Sequence, residues 1–489
     1  MSAIGGDFRE PRLAERTAEW YRCVGHEAAK SMDFFNGVAR ETLGEGSVVG
    51  NHGAAWLDVG LHTPSQVQAV SALAGCEAVK SFASADFMAT PHTYLWRDFA
   101  DGDVSYMVNV ESLRLHGALY LNEADERTHL NPGNLHWVDR GLPRNAWETE
   151  QVFKRNAAES IVRGAGMYWY DIYGGAFGEQ SLADALARLR RISQVMGERQ
   201  AWRPAQVAFL VDGASCLYQA AGSSVLSQLL YRSRLDFWNR AGITWDSYEL
   251  DDFLAGAAPS EYEALVFLNA WRLTAAQRDR LRRRVDGSPA KLVIWCVAPG
   301  YQTERELSLD AVRELTGFEV RREEAICDST LLFRDQLLAF NAFAKDTHDF
   351  NSSSAFYVVP SRGEEVLATW DSLDLPAVAR RGREVYWAAP LMHSTLLREV
   401  CRDAGLHVHC ETDDAVRGRG EFVAITAKTE GKKVLKSSSS VCWADLFSGE
   451  HLSAAAPELE LAMRRGETRM LVVGEDESVR AIARLIAAT

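Results

Sequence analysis

The chain has 489 residues, too many for one compact core, so two to four domains are expected. Its formal net charge of −14 argues against a nucleic acid or an anionic membrane surface as partner, because both require basic patches. Hydrophobic residues at 47% and charged residues at 25% form an ordinary globular mixture, and no apolar run is long enough for a membrane span.

A helix is predicted from Pro11 to about Arg40, with Tyr21, Val24, Ala28, Met32, Phe35 and Ala39 on one buried face. Gly44 and Gly46 end it. Ser47 to Gly50 reads as a short strand. Pro64 to Ala74 reads as a helix, with Thr63 as N-cap and Pro64 in the first helical position. Further strands are predicted at Ala85–Ala89, Gly117–Asn122 and Gly166–Tyr170, and further helices at Glu148–Arg163 and Leu182–Met196. Strands alternating with helices at this spacing make βαβ units and a parallel sheet. Four such units precede about residue 200, half of a (β/α)8 TIM barrel.

Arg203-Pro204 marks a boundary. Strands at Gln206–Val211, Ala264–Leu268 and Leu292–Val297 alternate with helices at Val225–Ala241 and Thr274–Val285, which describes a flavodoxin-like sheet running on to about Gly405. The arginines of Thr274–Val285 read as a solvated face. From Leu406 the period changes to two. Strands at His407–Cys410, Glu421–Ala427, Lys432–Leu435 and Arg469–Val473 suggest a small antiparallel β-sandwich, with Ser437–Ser440 in a turn. The domains expected are therefore 1–200, 204–405 and 406–489.

The eight cysteines are scattered, with no CxxC pair and no histidine cluster at zinc-finger spacing. They read as reduced thiols, so no disulfide frame and no zinc site is expected, and no metal is assigned. The N-terminus lacks the shape of a signal peptide, and a cytoplasmic location is the expectation.

In a barrel, reactive groups gather at the C-terminal strand ends. Here those ends carry Asn51 and His52; Pro91, His92 and Tyr94; Glu123 and Asp125; and Trp169 and Asp171. The sharpest segment is Leu119 to Leu130, where an apolar strand delivers Glu123 at its tip, followed by Asp125, Glu126, Arg127, Thr128 and His129. Glycoside hydrolysis needs two carboxyl groups, one to protonate the leaving oxygen and one to attack carbon or activate water. Glu123 stands where a nucleophile is rigidly presented, and Arg127 would keep it ionised. The plain alternative is an ion-pair network tying a loop to the rim. Asp171 would bond a sugar hydroxyl with Trp169 as stacking floor, or else cap the next turn. His52 and His92 would bind hydroxyls or orient Glu123. Trp96, Trp137 and Tyr173 lie in long loops near these ends. Cys216 has no His-Glu signature downstream and makes no amidotransferase nucleophile.

Ser112-Leu113-Arg114-Leu115-His116-Gly117 followed by Asn122-Glu123-Ala124-Asp125-Glu126-Arg127-Thr128-His129-Leu130 resembles the seventh strand of glycoside hydrolase family 42, the β-galactosidase family. Ala89-Thr90-Pro91-His92-Thr93-Tyr94 is similar to its sixth strand turn, and Trp169-Tyr170-Asp171-Ile172 to its eighth. Phe267-Leu268-Asn269-Ala270 and Ala298-Pro299-Gly300-Tyr301 resemble the flavodoxin-like trimerisation domain that follows the barrel. The resemblance implies retaining hydrolysis of β-galactoside-like bonds without a cofactor. It assigns the nucleophile to Glu123 and substrate contacts to His52, His92, Tyr94, Asp125, Arg127, Trp169 and Asp171, with a carbohydrate substrate and a homotrimer. The family's acid/base glutamate closes strand four, and nothing before Ser47 reads as such a strand. Barrel strands one to four and that residue are expected to be missing, unless a carboxyl such as Asp98 or Glu111 reaches Glu123. The rival expectation is a non-catalytic carbohydrate-binding or assembly protein.

Overall fold

The computed structural model describes residues 7–44, 46–53, 57, 84–94, 97–130, 141–172, 174–199, 202–220, 224–341 and 352–487. The predicted helix at Pro64–Ala74, and Trp96, Trp137 and Tyr173, lie outside them.

The first helix spans Pro11–Leu43, with proline opening its first turn and Gly44 closing it at φ 93°. Its buried face differs from the one predicted. Ala14, Ala18, Gly25, Ala29 and Asn36 point inward, whereas Phe35 is 66% exposed. Small residues win because they let the helix backbone come close: Ala14 and Ala18 pack on Leu217 and Tyr218 of the middle unit.

Four strands follow: β1 (Gly50–His52), β2 (Phe87–Pro91), β3 (Leu119–Ala124) and β4 (Gly166–Trp169). They pair in chain order and all in parallel, as the alternation of strands and helices requires. β1 and β4 each have a partner on one side only, so among the described residues the sheet is open at both edges. Along β3, Tyr120, Asn122 and Ala124 are buried, while Leu119, Leu121 and Glu123 face the opposite, more open side. The helix Ala146–Arg163 connects β3 to β4. Asn145 caps it by accepting from the Glu148 N–H, and left-handed Gly164 ends it.

The middle unit is built on β5 (Val207–Val211), β6 (Trp245–Glu249), β7 (Ala264–Phe267) and β8 (Leu292–Cys296), with Glu384–Trp387 as fifth parallel strand. Their order across the sheet is second, first, third, fourth, fifth. Antiparallel strands extend the far side to nine in all. The long helical segment before β6 widens into π-type turns at Ser227–Arg232 and Arg234–Trp238, then stops at Gly242. Gly242 has φ 72°, and a Cβ there would meet the Cys410 carbonyl oxygen at 2.2 Å, so only glycine fits. The arginine-rich helix Ala275–Asp286 buries only Leu281 and Val285; Arg280 and Arg283 are exposed, whereas Arg278, Arg282 and Arg284 are half-buried, with Arg282 paired to Glu384 at 2.7 Å and Arg284 over the Phe253 ring.

The C-terminal unit departs from the sandwich expected. It is a single five-stranded antiparallel sheet. A second sheet is unnecessary because helices cover one face: Phe422, Ala424, Met470 and Val472 pack against Val479, Ile482 and Ile486 of the helix Asp476–Ala487 and against Phe153 and Ala157. His407–Cys410 is not a strand, and Ser437–Ser440 lies inside the strand Gly431–Asp445, where the register shifts between Lys436 and Val441. No helix among the described residues is long and apolar enough to cross a membrane.

The three units meet at a buried charge network. Arg163 pairs with Glu159 at 2.9 Å and with Glu111 at 3.3 Å. Arg417 reaches Glu159 at 2.7 Å and also pairs with Asp103. Arg419 pairs with Asp246 of β6.

Candidate active site

Glu123 occupies the next-to-last position of β3, and its register partner on β4 is Tyr168. Parallel pairing puts both side chains on the same face. The Tyr168 hydroxyl donates to Glu123 Oε2, and His52 Nε2 lies 3.1 Å from the same oxygen. Among the described residues no donor holds Oε1. Burial and the adjacent Glu123 carboxylate push the Tyr168 phenol upward, so it stays protonated and remains a donor. Tyr94 is half-buried nearby and its phenol is raised by burial, then by Asp125, with Glu123 adding to the effect.

The polar run after Glu123 turns beneath the surface. Asp125 and Glu126 are buried. Arg97 spans this turn. It pairs with Asp125 Oδ1 at 2.8 Å and donates to the carbonyls of His92 at 2.7 Å and Thr93 at 3.0 Å. Its guanidinium also lies 4.5 Å from the Tyr94 ring centroid. His92 is fully buried with Nε2 2.6 Å from Glu126 Oε1. Burial and then Arg97 lower the His92 imidazole below its ordinary range. Burial would raise Glu126, but His92, Arg97 and Arg155 outweigh it and hold the carboxyl down to about 2. Thr128 donates to the Ala176 carbonyl, and His129 bridges Thr149 and Glu179.

Of the residues expected to contact a sugar, His52 and Tyr94 therefore stand beside Glu123. At His92 and Asp125 the geometry favours support of the strand ends over sugar contact. Arg127 donates to the Asp125 carbonyl at 3.2 Å. Asp171 Oδ2 accepts from the Ala176 N–H at 3.0 Å, which is the turn-capping alternative. Trp169 corrects the expected stacking floor. It faces the helices, with its ring centroid 4.5 Å from Phe153, because residues on one strand alternate and Tyr168 takes the Glu123 side. Tyr170, 41% exposed, is the aromatic that shares the Tyr168 face. Glu111 is committed to Arg163 and to the Ser247 N–H, and Asp98 packs against Gly141. Sequence reasoning missed Tyr168 and Arg97. The parity of β4 signalled Tyr168, whereas no spacing rule pointed to Arg97.

The fold is similar to that of solved β-galactosidases. The chain is similar to the β-galactosidase of Bacillus circulans sp. alkalophilus, with a TM-score of 0.51 and 12% identity over 83% of this chain and 68% of that one. For the β-galactosidase of the psychrophilic Marinomonas ef1 the TM-score is 0.50, with 12% identity over 84% and 67%. Gan42B, a GH42 β-galactosidase from G. stearothermophilus, aligns at 0.49 with 16% identity over 80% and 60%. The chain thus spans about two thirds of the length of the first two of these enzymes. No family model and no curated protein matches the sequence.

Proposed function

We propose that this chain carries the nucleophile half of a retaining β-glycosidase acting on galactoside-like bonds, with Glu123 as nucleophile. The carrying observation is a carboxylate at a parallel strand end, gripped through one oxygen by Tyr168 and His52, while among the described residues the other oxygen takes no bond. In this reading β1 to β4 are strands five to eight of a TIM barrel, and further strands complete the open edges. Those strands bring the second carboxyl to about 5 Å from Glu123, the separation that retention needs. Glu123 Oε1 forms a bond to the anomeric carbon as the glycosidic C–O bond breaks. The second carboxyl gives its proton to the leaving oxygen, then takes one from the water that releases the sugar. Tyr170 offers a ring for the sugar face. His52 holds Glu123 and contacts hydroxyls, with Tyr94 and Arg127 as further sugar contacts.

The strand order of the middle unit supports a flavodoxin-like domain. A homotrimer built on that domain is part of the same reading, and light scattering of the purified chain checks it.

The second reading is carbohydrate binding without hydrolysis. It is favoured by the burial of Asp125, Glu126 and Glu111, which leaves none of them free to serve as the acid. A panel of chromogenic β-glycosides separates the two readings. The panel is run on this chain, on the chain with its preceding coding sequence, and on the Glu123→Gln variant of the longer form. Hydrolysis by the longer form, lost by about a thousandfold or more in the variant, is expected. Sugar binding with no hydrolysis in any form would establish the second reading instead.

A further inference from the structure

Far from Glu123 in the sequence, three side chains of different chemistry converge at the edge of the C-terminal sheet. Cys442 lies on the strand Gly431–Asp445, His451 opens the strand His451–Met463, and Asp476 opens the helix Asp476–Ala487. The backbone itself brings them together. Cys442 pairs with Gly474, two residues before Asp476, and Ala444, two residues along from Cys442, pairs with His451. One ligand atom from each lies within 4.8 Å of the other two.

We propose that Cys442, His451 and Asp476 bind one zinc ion, which clasps the C-terminal helix to the sheet. A sulfur, an imidazole nitrogen and a carboxylate oxygen are the donor set of zinc, whereas calcium and magnesium call for oxygen alone. Three protein ligands leave a fourth tetrahedral position for water. The groups already face one another: His451 Nε2 is 3.0 Å from Asp476 Oδ1. Arg480 Nε donates to the other carboxylate oxygen at 2.7 Å, which fixes the carboxylate and leaves Oδ1 for a metal, as an outer-shell partner does. Cys442 is a free, buried thiol. Zinc entry forms a Zn–S bond with loss of the thiol proton to solvent, and replaces the His451–Asp476 hydrogen bond with Zn–N and Zn–O bonds as the imidazole proton moves from Nε2 to Nδ1. The nearby Arg480 charge opposes the ion, so affinity is set below that of a four-ligand structural site.

The full chain, stripped with a chelator, is titrated with zinc against a chromophoric indicator and, in parallel, with cobalt. The expected result is one equivalent of zinc, a thiolate-to-cobalt charge-transfer band, and release of one proton. Cys442→Ser and His451→Gln each weaken zinc uptake more than about a hundredfold, and the serine variant loses the charge-transfer band. His451 is partly exposed, so its variant keeps the fold, checked by circular dichroism. No uptake by the stripped chain, or uptake undiminished in His451→Gln, overturns the proposal.

Discussion

Two donors, Tyr168 on the adjacent β4 and His52 on β1 two strands away, converge on one oxygen of Glu123. Tyr168 supplies a hydroxyl that stays protonated because burial and the carboxylate both raise it. Its hydrogen bond is to a charged group, a class contributing roughly 1.5–3 kcal/mol. Tyr168→Phe in the hydrolytically active form is expected to lower kcat/KM by about ten- to a hundredfold with unchanged folding, read from steady-state kinetics beside a melting curve. An unchanged kcat/KM would mean that Tyr168 does not position the nucleophile. At this scale the sequence was half legible. Glu123 was readable from an apolar strand ending in a carboxylate. The choice between Tyr168 and Trp169 depended on strand parity, and a register read one residue off exchanges the two faces of β4. Arg97 was invisible, because its one ion pair runs from a loop to Asp125, nearly thirty positions away.

At the scale of elements, the turn after β3 is a buried set of charges, and its pH response has a definite sign. Glu126 is held at about 2 in the fold against an ordinary 4.5, so the unfolded chain takes up that proton first. Its contribution to stability is full above pH 4.5 and is lost as pH falls toward 2. His92 is lowered from 6.5, so below pH 6.5 the unfolded chain again binds a proton that the folded chain refuses. Both act in the same direction, and their joint contribution falls as pH drops from 6.5, against the opposite contribution of Asp236, which burial raises to about 6, and of the raised Glu111 and Glu159. Glu126→Gln should cost about 3 kcal/mol at neutral pH and flatten the slope between pH 4.5 and 2, measured by denaturant unfolding along a pH series. A slope equal to that of the unmodified chain would contradict the pairing. Of the run from Asp125 to His129, ionic partners hold Asp125, Glu126 and His129, while Arg127 and Thr128 donate to backbone carbonyls. Spacing alone could not divide these roles, since the turn decides which carboxylates go under the surface. The first helix shows the same limit. Its periodicity was readable, but the face chosen was that of its small residues rather than its aromatics.

For the whole molecule, parallel connection of the four strands and the change of period after residue 405 were legible from spacing. The way the C-terminal sheet seals itself was not. Its apolar strand faces read as a sandwich, yet the second layer comes from helices, two of them about three hundred residues earlier in the chain. The charges that lock this packing, Arg163, Arg417 and Arg419 against Glu111, Glu159 and Asp246, are distant in sequence and carry no motif. Removing one member leaves a buried charge unpaired, so Arg163→Met is expected to destabilise the chain by about 3–5 kcal/mol, read as a lower denaturation midpoint. A midpoint within error of the parent would mean the network is not a joint between the units.

The claim on which the functional account rests is that Glu123 forms a bond to the sugar. The direct measurement is to incubate the chain, with its preceding coding sequence, with a fluorosugar analogue whose glycosyl-enzyme intermediate turns over slowly, and then to map the adduct by peptide mass spectrometry. The account predicts one sugar per chain, attached to the peptide that contains Glu123. Hydrolytic activity with the adduct on a different carboxylate, or with no adduct at all, would contradict it.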